Sequence, residues 1–275
     1  MSNDPGTVLQ YERRGPAAWL TLNRPDKLNA LSHEVVDALR AALGRARRDD
    51  EVKIVVLRGA GRAFCAGYDI GEEVAEQIDD VDRWHQILSE DVEVTLELLR
   101  LPKPTIAAVH GYCLAGGCEL AMACDMIIAT QDARFGEPEI RYGSGPVTLL
   151  MPFLIGQKKT NELLFTGDLI EAAEAQAIGL VNRVVPAERL ADEVEGLIAK
   201  IAPTPLPVLR YTKLGLLRAR EAMGLGQAVA SNLDLSALLN ASNTPEQREF
   251  DAIAAREGLK AALAWRDRRY GQISA

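Results

Sequence analysis

Histidine and cysteine are scarce in this chain of 275 residues, with three of the first and four of the second. No two of His33, His85 and His110 stand four residues apart, so neither a helical pair of metal ligands nor a histidine-based catalytic triad finds support. Cys65, Cys113, Cys118 and Cys124 sit among small apolar residues and form no CxxC pair, which argues against zinc; no metal is expected. Excess positive charge is also lacking. With 31 Lys+Arg against 39 Asp+Glu the net charge is −8, whereas a nucleic-acid binder needs a basic face to neutralise phosphates. Long apolar runs are missing too: the longest uncharged stretch, Tyr142 to Gln157, holds three glycines and two prolines and falls short of the ~20 residues of a membrane-spanning helix. The opening Met-Ser-Asn-Asp-Pro-Gly has no basic segment followed by an apolar one, so no signal peptide is read and a cytoplasmic location is expected. Glycine (22) and proline (13) are too few for a low-complexity chain, and a hydrophobic content of 48% is ample for a packed core.

What is present is an alternation of β-rich runs and helical patterns. Val8–Tyr11, Ala18–Leu22, Ile54–Leu57, Thr105–Val109 and Met126–Ala129 read as strands. Ser32 is placed to cap a helix from His33 to Arg48, with Val35, Val36, Leu39 and Leu43 on one face. A second long helix is predicted over Val81 to Arg100, ended by Pro102 and Pro104. After Val185-Pro186 the strand signal stops, and helices are predicted over Glu188–Ile201, Pro207–Met223, Gly226–Asn240 and Pro245–Arg256. The pattern is an α/β core, residues 1–200, followed by a helical region, residues 201–275.

Three segments have the composition of a site. Arg58-Gly-Ala-Gly-Arg-Ala-Phe-Cys-Ala-Gly-Tyr-Asp-Ile70 follows a strand and is too glycine-rich for the interior of any element, so it is a tight turn or a close backbone approach to a ligand. It fits neither GxGxxG nor GxxxxGK[ST]. In the block from His110 to Asp125, Gly116 and Gly117 open an apolar helix through Ala123, with Glu119 in its first turn. Free N–H groups at such a helix start would stabilise an oxyanion near Gly116. Glu119 could merely complement the helix dipole, but a carboxylate on a buried helix is costly without a partner or a task. In Ala133-Arg-Phe-Gly-Glu-Pro-Glu-Ile140, Glu139 follows Glu119 by twenty positions, and Glu137 is the competing acid. Two carboxyl groups converging on one pocket can hold a water and act as base and acid.

Five ordered motifs carry a family resemblance over nearly the whole chain: Asn23-Arg-Pro-Asp-Lys-Leu-Asn-Ala-Leu31, Ala63 to Ile70, Gly111 to Asp125, Phe135-Gly-Glu-Pro-Glu-Ile140, and Phe165-Thr-Gly-Asp168 through Ala177 to Pro186. Together they resemble the enoyl-CoA hydratase/isomerase (crotonase) superfamily. The resemblance implies a repeated ββα spiral core with a C-terminal helical region used to form a homotrimer, commonly a dimer of trimers. It implies acyl-CoA substrates, with coenzyme A as part of the substrate and no permanently bound cofactor. The family's oxyanion hole falls on the backbone N–H groups of Tyr68 and Gly116, and its two hydratase carboxylates on Glu119 and Glu139. Its coenzyme A contacts fall on Lys27, Leu28, Ala66, Tyr68, Asp69, Ile70, Gly71 and Gly116. The implied reaction is syn addition of water across an α,β-unsaturated acyl-CoA. The family's C-terminal helix brings basic residues to a neighbour's site, here Trp265-Arg-Asp-Arg-Arg-Tyr270.

Two departures bear on the acyl end of the pocket. The usual glycine-rich stretch after the second glutamate is replaced by Arg141-Tyr-Gly-Ser-Gly-Pro-Val-Thr148, and Tyr68 stands where a small residue is frequent. The family also hosts double-bond isomerisation, decarboxylation and C–C cleavage, as well as idle or RNA-binding members. Retention of both glutamates favours hydration, and the charge of −8 disfavours RNA.

Overall fold

The computed structural model describes residues 7–72, 78 and 80–270. Its larger sheet runs in the spatial order β1 (Leu9–Arg14), β2 (Ala17–Leu22), β3 (Ile54–Gly59), β5 (Thr105–Val109), β7 (Met126–Thr130) and β10 (Arg183–Val185). β1 pairs antiparallel with β2, and the other neighbours pair parallel. Every residue of β2 is buried because both faces of the sheet are covered, the usual state of parallel strands. Ala18, Leu20 and Leu22 join the core formed with α1 (His33–Arg48), α2 (Val81–Leu99) and α3 (Gly116–Ala123). Ala17 and Trp19 point the other way, against Val194 and Ile198 of α6 (Leu190–Ile201).

A smaller sheet is formed by β4 (Ala63–Cys65), β6 (Tyr112–Leu114), β8 (Arg134–Gly136) and β9 (Ile170–Glu171), none of which the sequence pattern predicts as a strand; the segment holding β4 reads as a tight turn. Strands of two or three residues are too short to show alternation. β3/β4, β5/β6 and β7/β8 each send their first strand to the large sheet and their second to the small one, which is the expected ββα repeat. The helices α4 (Gln157–Thr166) and α5 (Ala172–Ala177) follow β8 and were not foreseen.

Ser32 caps α1 as predicted, its side chain accepting from the Val35 N–H. The far end of α1 is closed by Lys103, a fully buried residue whose Nζ donates to the carbonyls of Ala46 and Asp49, both at 2.6 Å. After β10 the chain is helical: α6, α7 (Leu206–Ala222), α8 (Leu225–Ala241), α9 (Pro245–Glu257) and α10 (Leu259–Arg269). α8 packs along α2. α9 and α10 pack on each other around Phe250, Ile253 and Ala262, with Ile70 and Trp265 against that small core. No helix among the described residues is long and apolar enough to cross a membrane.

Candidate active site

The loop before α1, the loop after β4, the start of α3 and the turn after β8 meet around a cavity of about 460 Å3, which α2, α8 and α10 close. The loop before α1 is held by Asn29, fully buried, whose Nδ2 donates to the carbonyls of Ala60 and Ala63, both at 2.8 Å. Arg24 ties the same loop to the next one, pairing with Asp69 at 2.9 Å and donating to the Ala30 carbonyl at 2.8 Å.

The loops that carry Tyr68 and Gly116 meet. Leu31 donates to the Gly67 carbonyl at 2.8 Å and accepts from the Asp69 N–H at 3.0 Å, so the N–H of Tyr68 between them points away from Leu31. Gly67 has φ 101°, and a Cβ there would stand 2.5 Å from the Cβ of Ala115; only glycine lets the two loops approach this closely. Ala115 itself has φ 54°, a strained value for a residue with a side chain, and leads directly into Gly116. As the first residue of α3, Gly116 has an N–H without an intrahelical acceptor.

Glu119 is fully buried one turn into α3. Its Oε1 accepts from the N–H groups of Val147 and Thr148 at 2.8 and 2.7 Å, while Oε2 has no hydrogen-bond partner. Burial raises its pKa to about 7, against the opposing pull of those bonds from Thr148 and Val147. Glu137 is buried as well, and neither of its carboxyl oxygens has a hydrogen-bond partner. Burial first, then Cys118, Glu119 and Glu139 within electrostatic reach, raise its pKa well above the ordinary carboxylate value. Glu139, 6% exposed, lines the cavity. The turn that carries it is anchored by Arg141, a buried residue whose Nε donates to the Thr166 carbonyl at 2.8 Å and whose guanidinium pairs with Asp168.

Of the residues expected to contact coenzyme A, Lys27, Leu28, Ala66, Tyr68, Asp69 and Ile70 line the cavity. Gly71 does not; its N–H is turned to the Asp69 carboxylate at 3.2 Å. Glu119 and Gly116 stand just behind the wall, beside Val147 and Ala115, which do line it. In the basic C-terminal stretch, Arg266 of α10 lines the cavity of its own chain, as does Leu263 just before that stretch. In the segment after Glu139, Ser144, Gly145 and Val147 face the cavity.

Sequence reasoning missed Asp91 and Asn240, both buried and both lining the cavity. Asp91 carried a signal, since it stands in register with Trp84, Ile87 and Leu88 on the apolar face of α2. The grip of Val147 and Thr148 on Glu119 carried none, because backbone donors leave no mark in side-chain chemistry.

A family model described as enoyl-CoA hydratase/isomerase matches residues 12–255. A probable enoyl-CoA hydratase of Rhizobium meliloti (strain 1021) is 40% identical over 217 residues, spanning 78% of this chain and 82% of that protein. The short-chain-enoyl-CoA hydratase of Clostridium acetobutylicum is 38% identical over 215 residues, 76% of this chain and 81% of that one. The crystal structure of an enoyl-CoA hydratase/isomerase from Xanthobacter autotrophicus Py2 superposes with a TM-score of 0.94 at 41% identity, covering 96% of this chain and 98% of that chain. The chain belongs to the enoyl-CoA hydratase/isomerase family.

Proposed function

We propose that this protein is an enzyme that adds water across the double bond of an α,β-unsaturated acyl-CoA, giving the 3-hydroxyacyl-CoA. The observation that carries the reading is Glu119: one oxygen held by two N–H groups, the other open, behind a cavity that Glu139 lines. Relatives named as enoyl-CoA hydratases support the same reaction.

The thioester oxygen sits between the N–H groups of Tyr68 and Gly116, where negative charge can build as the β-carbon is attacked. Glu119 is the base, because its two N–H donors stabilise the ionised form. It takes one proton from water while the hydroxyl oxygen bonds to the β-carbon and the π electrons move onto the thioester oxygen. Glu139, protonated, gives its proton to the α-carbon as the enolate collapses. A proton passes from Glu119 back to Glu139 before the next turnover. Lys27 and Arg266, at the cavity, supply positive charge for the phosphates of coenzyme A on an otherwise acidic chain.

The same reading includes a homotrimer or a dimer of trimers. α7, α8 and the turn between them expose Tyr211, Leu216, Met223 and Leu235, each more than 60% accessible, and exposed apolar faces of this kind mark subunit contacts. Light scattering on the purified protein reads the assembly directly, and a monomer would contradict it. The reaction is tested with crotonyl-CoA and a long-chain enoyl-CoA, following loss of the conjugated-thioester absorbance. Loss with at least one substrate is expected; loss with neither would overturn the proposal.

A further inference from the structure

The base that the proposed reaction assigns to Glu119 is held by a loop, and that loop is itself held from behind. The carbonyl of Pro146 and the N–H of Val147 belong to one peptide unit, and the carbonyl of Val147 and the N–H of Thr148 belong to the next. Both units are trans, so each carbonyl points opposite to its N–H. The two N–H groups converge on Glu119 Oε1 at 2.8 and 2.7 Å. On the other side, Nδ2 of Asn232 donates to the Pro146 carbonyl at 2.7 Å and to the Val147 carbonyl at 2.9 Å.

We infer that Asn232, on α8 in the C-terminal helical region, is a positioning residue for Glu119: its amide fixes two adjacent peptide planes so that both N–H groups aim at one carboxylate oxygen. Two hydrogen-bonded chains therefore run in parallel from one amide nitrogen through two peptide groups to one oxygen. Each donor polarises the peptide it binds and strengthens the bond on the far side. Ser236, one turn on, sends its hydroxyl towards the same Pro146 carbonyl at 3.4 Å and accepts from Asn232 Nδ2 at 3.4 Å. Asn232 thus reaches the chemistry without lining the cavity.

The consequence lies in ionisation. Without Asn232 the loop is free to turn, the N–H bonds to the carboxylate weaken, and the neutral form of Glu119 is favoured further. The groups facing Glu119 compound this: Glu137 from the turn after β8, with Glu139 beyond it, and the Tyr68 phenol from the loop after β4. Cys118 lies beside it on its own helix. None of these supplies a positive charge to replace the lost donors.

The test is kcat/KM against pH for crotonyl-CoA, measured on the full-length protein, Asn232→Leu, Asn232→Asp and Glu119→Gln. In Asn232→Leu, which keeps the volume and lacks the donors, the acid limb moves to higher pH by about half a unit or more. The loss at pH 6 then exceeds the loss at pH 8.5 by about threefold or more. Asn232→Asp, which sets an acceptor against two carbonyls, moves it further or abolishes turnover. A residue needed only for packing would lower the rate by the same factor at every pH, and that result overturns the inference. Should Asn232→Leu fail to fold, Asn232→Ser, retaining one donor, is expected to show a smaller displacement in the same direction; an unmoved limb there overturns it equally. The inference rests on the role proposed for Glu119, and Glu119→Gln separates the two. If Glu119→Gln turns over at the native rate, the role of Glu119 fails. If it is inactive and the Asn232 variants keep the native acid limb, only Asn232 fails.

Discussion

The ring of Tyr68 lies so close to Gly116 that a Cβ on Gly116 would stand 2.3 Å from Tyr68 Cε2. The ring cannot easily withdraw, because its hydroxyl donates to the Asp91 carbonyl on α2 at 3.3 Å. The two residues whose N–H groups are proposed to form the oxyanion hole therefore touch through the Tyr68 ring, and the phenol occupies space beside the place proposed for the reacting carbonyl.

Tyr68→Ala keeps the N–H and empties that space. Relative kcat/KM for longer enoyl-CoA substrates over crotonyl-CoA should rise, by about tenfold for a pocket enlarged by several methylenes. Gly116→Ala drives a methyl group into the ring and should lose 100-fold or more in turnover, since displacing one oxyanion donor costs about that much. The double variant should recover part of the loss. Steady-state kinetics on the three proteins decide it; no change in chain-length preference in Tyr68→Ala would show that the ring does not bound the acyl site.

Glu137 makes the fold sensitive to alkali. Its pKa is raised by burial, so it stays protonated in the folded chain while the unfolded chain ionises above about pH 4.3. The stability it allows is fully present below that pH and falls as pH rises towards the folded value. Glu137→Gln, neutral throughout, should gain on the native protein by about 1.4 kcal/mol per pH unit above pH 5 until that value is reached. Glu119, with a value of about 7, acts in the same direction in both proteins. Urea denaturation from pH 5 to 8 measures the difference, and a constant offset would contradict the assignment.

How much of this was legible beforehand depended on length and on side chains. β2, β3, β5 and β7 could be read because strands buried on both faces are continuous apolar runs. The small sheet could not, because its two- and three-residue strands lie within glycine-rich segments. α10 was missed because its apolar residues, Leu259 and Ala261 to Trp265, crowd its first seven positions instead of forming a stripe, and only Ala262 is fully buried. Glu119 stood out as an acid on an apolar helix, whereas Glu139 was separated from Glu137 only by the family resemblance. Asn232 could not stand out, since its partners are two carbonyls more than eighty positions away.

Arg266 lies at the cavity with its guanidinium mostly buried, paired with Asp267 at 2.7 Å. Arg266→Ala should raise KM severalfold for every acyl-CoA alike, with the native advantage shrinking as salt rises, because screening weakens charge contacts with phosphate. Titration with free coenzyme A at low and high ionic strength checks this; equal affinities for the two proteins would remove Arg266 from the binding site.

In the proposed reaction Glu119 and Glu139 divide the work of base and acid in adding water. The most direct measurement is crotonyl-CoA hydration by Glu119→Gln and by Glu139→Gln, with coenzyme A affinity determined calorimetrically on the same samples. Each variant should lose about 100-fold or more in kcat while binding coenzyme A as tightly as the native protein. Turnover near the native rate in either variant, with the fold intact, would contradict the account.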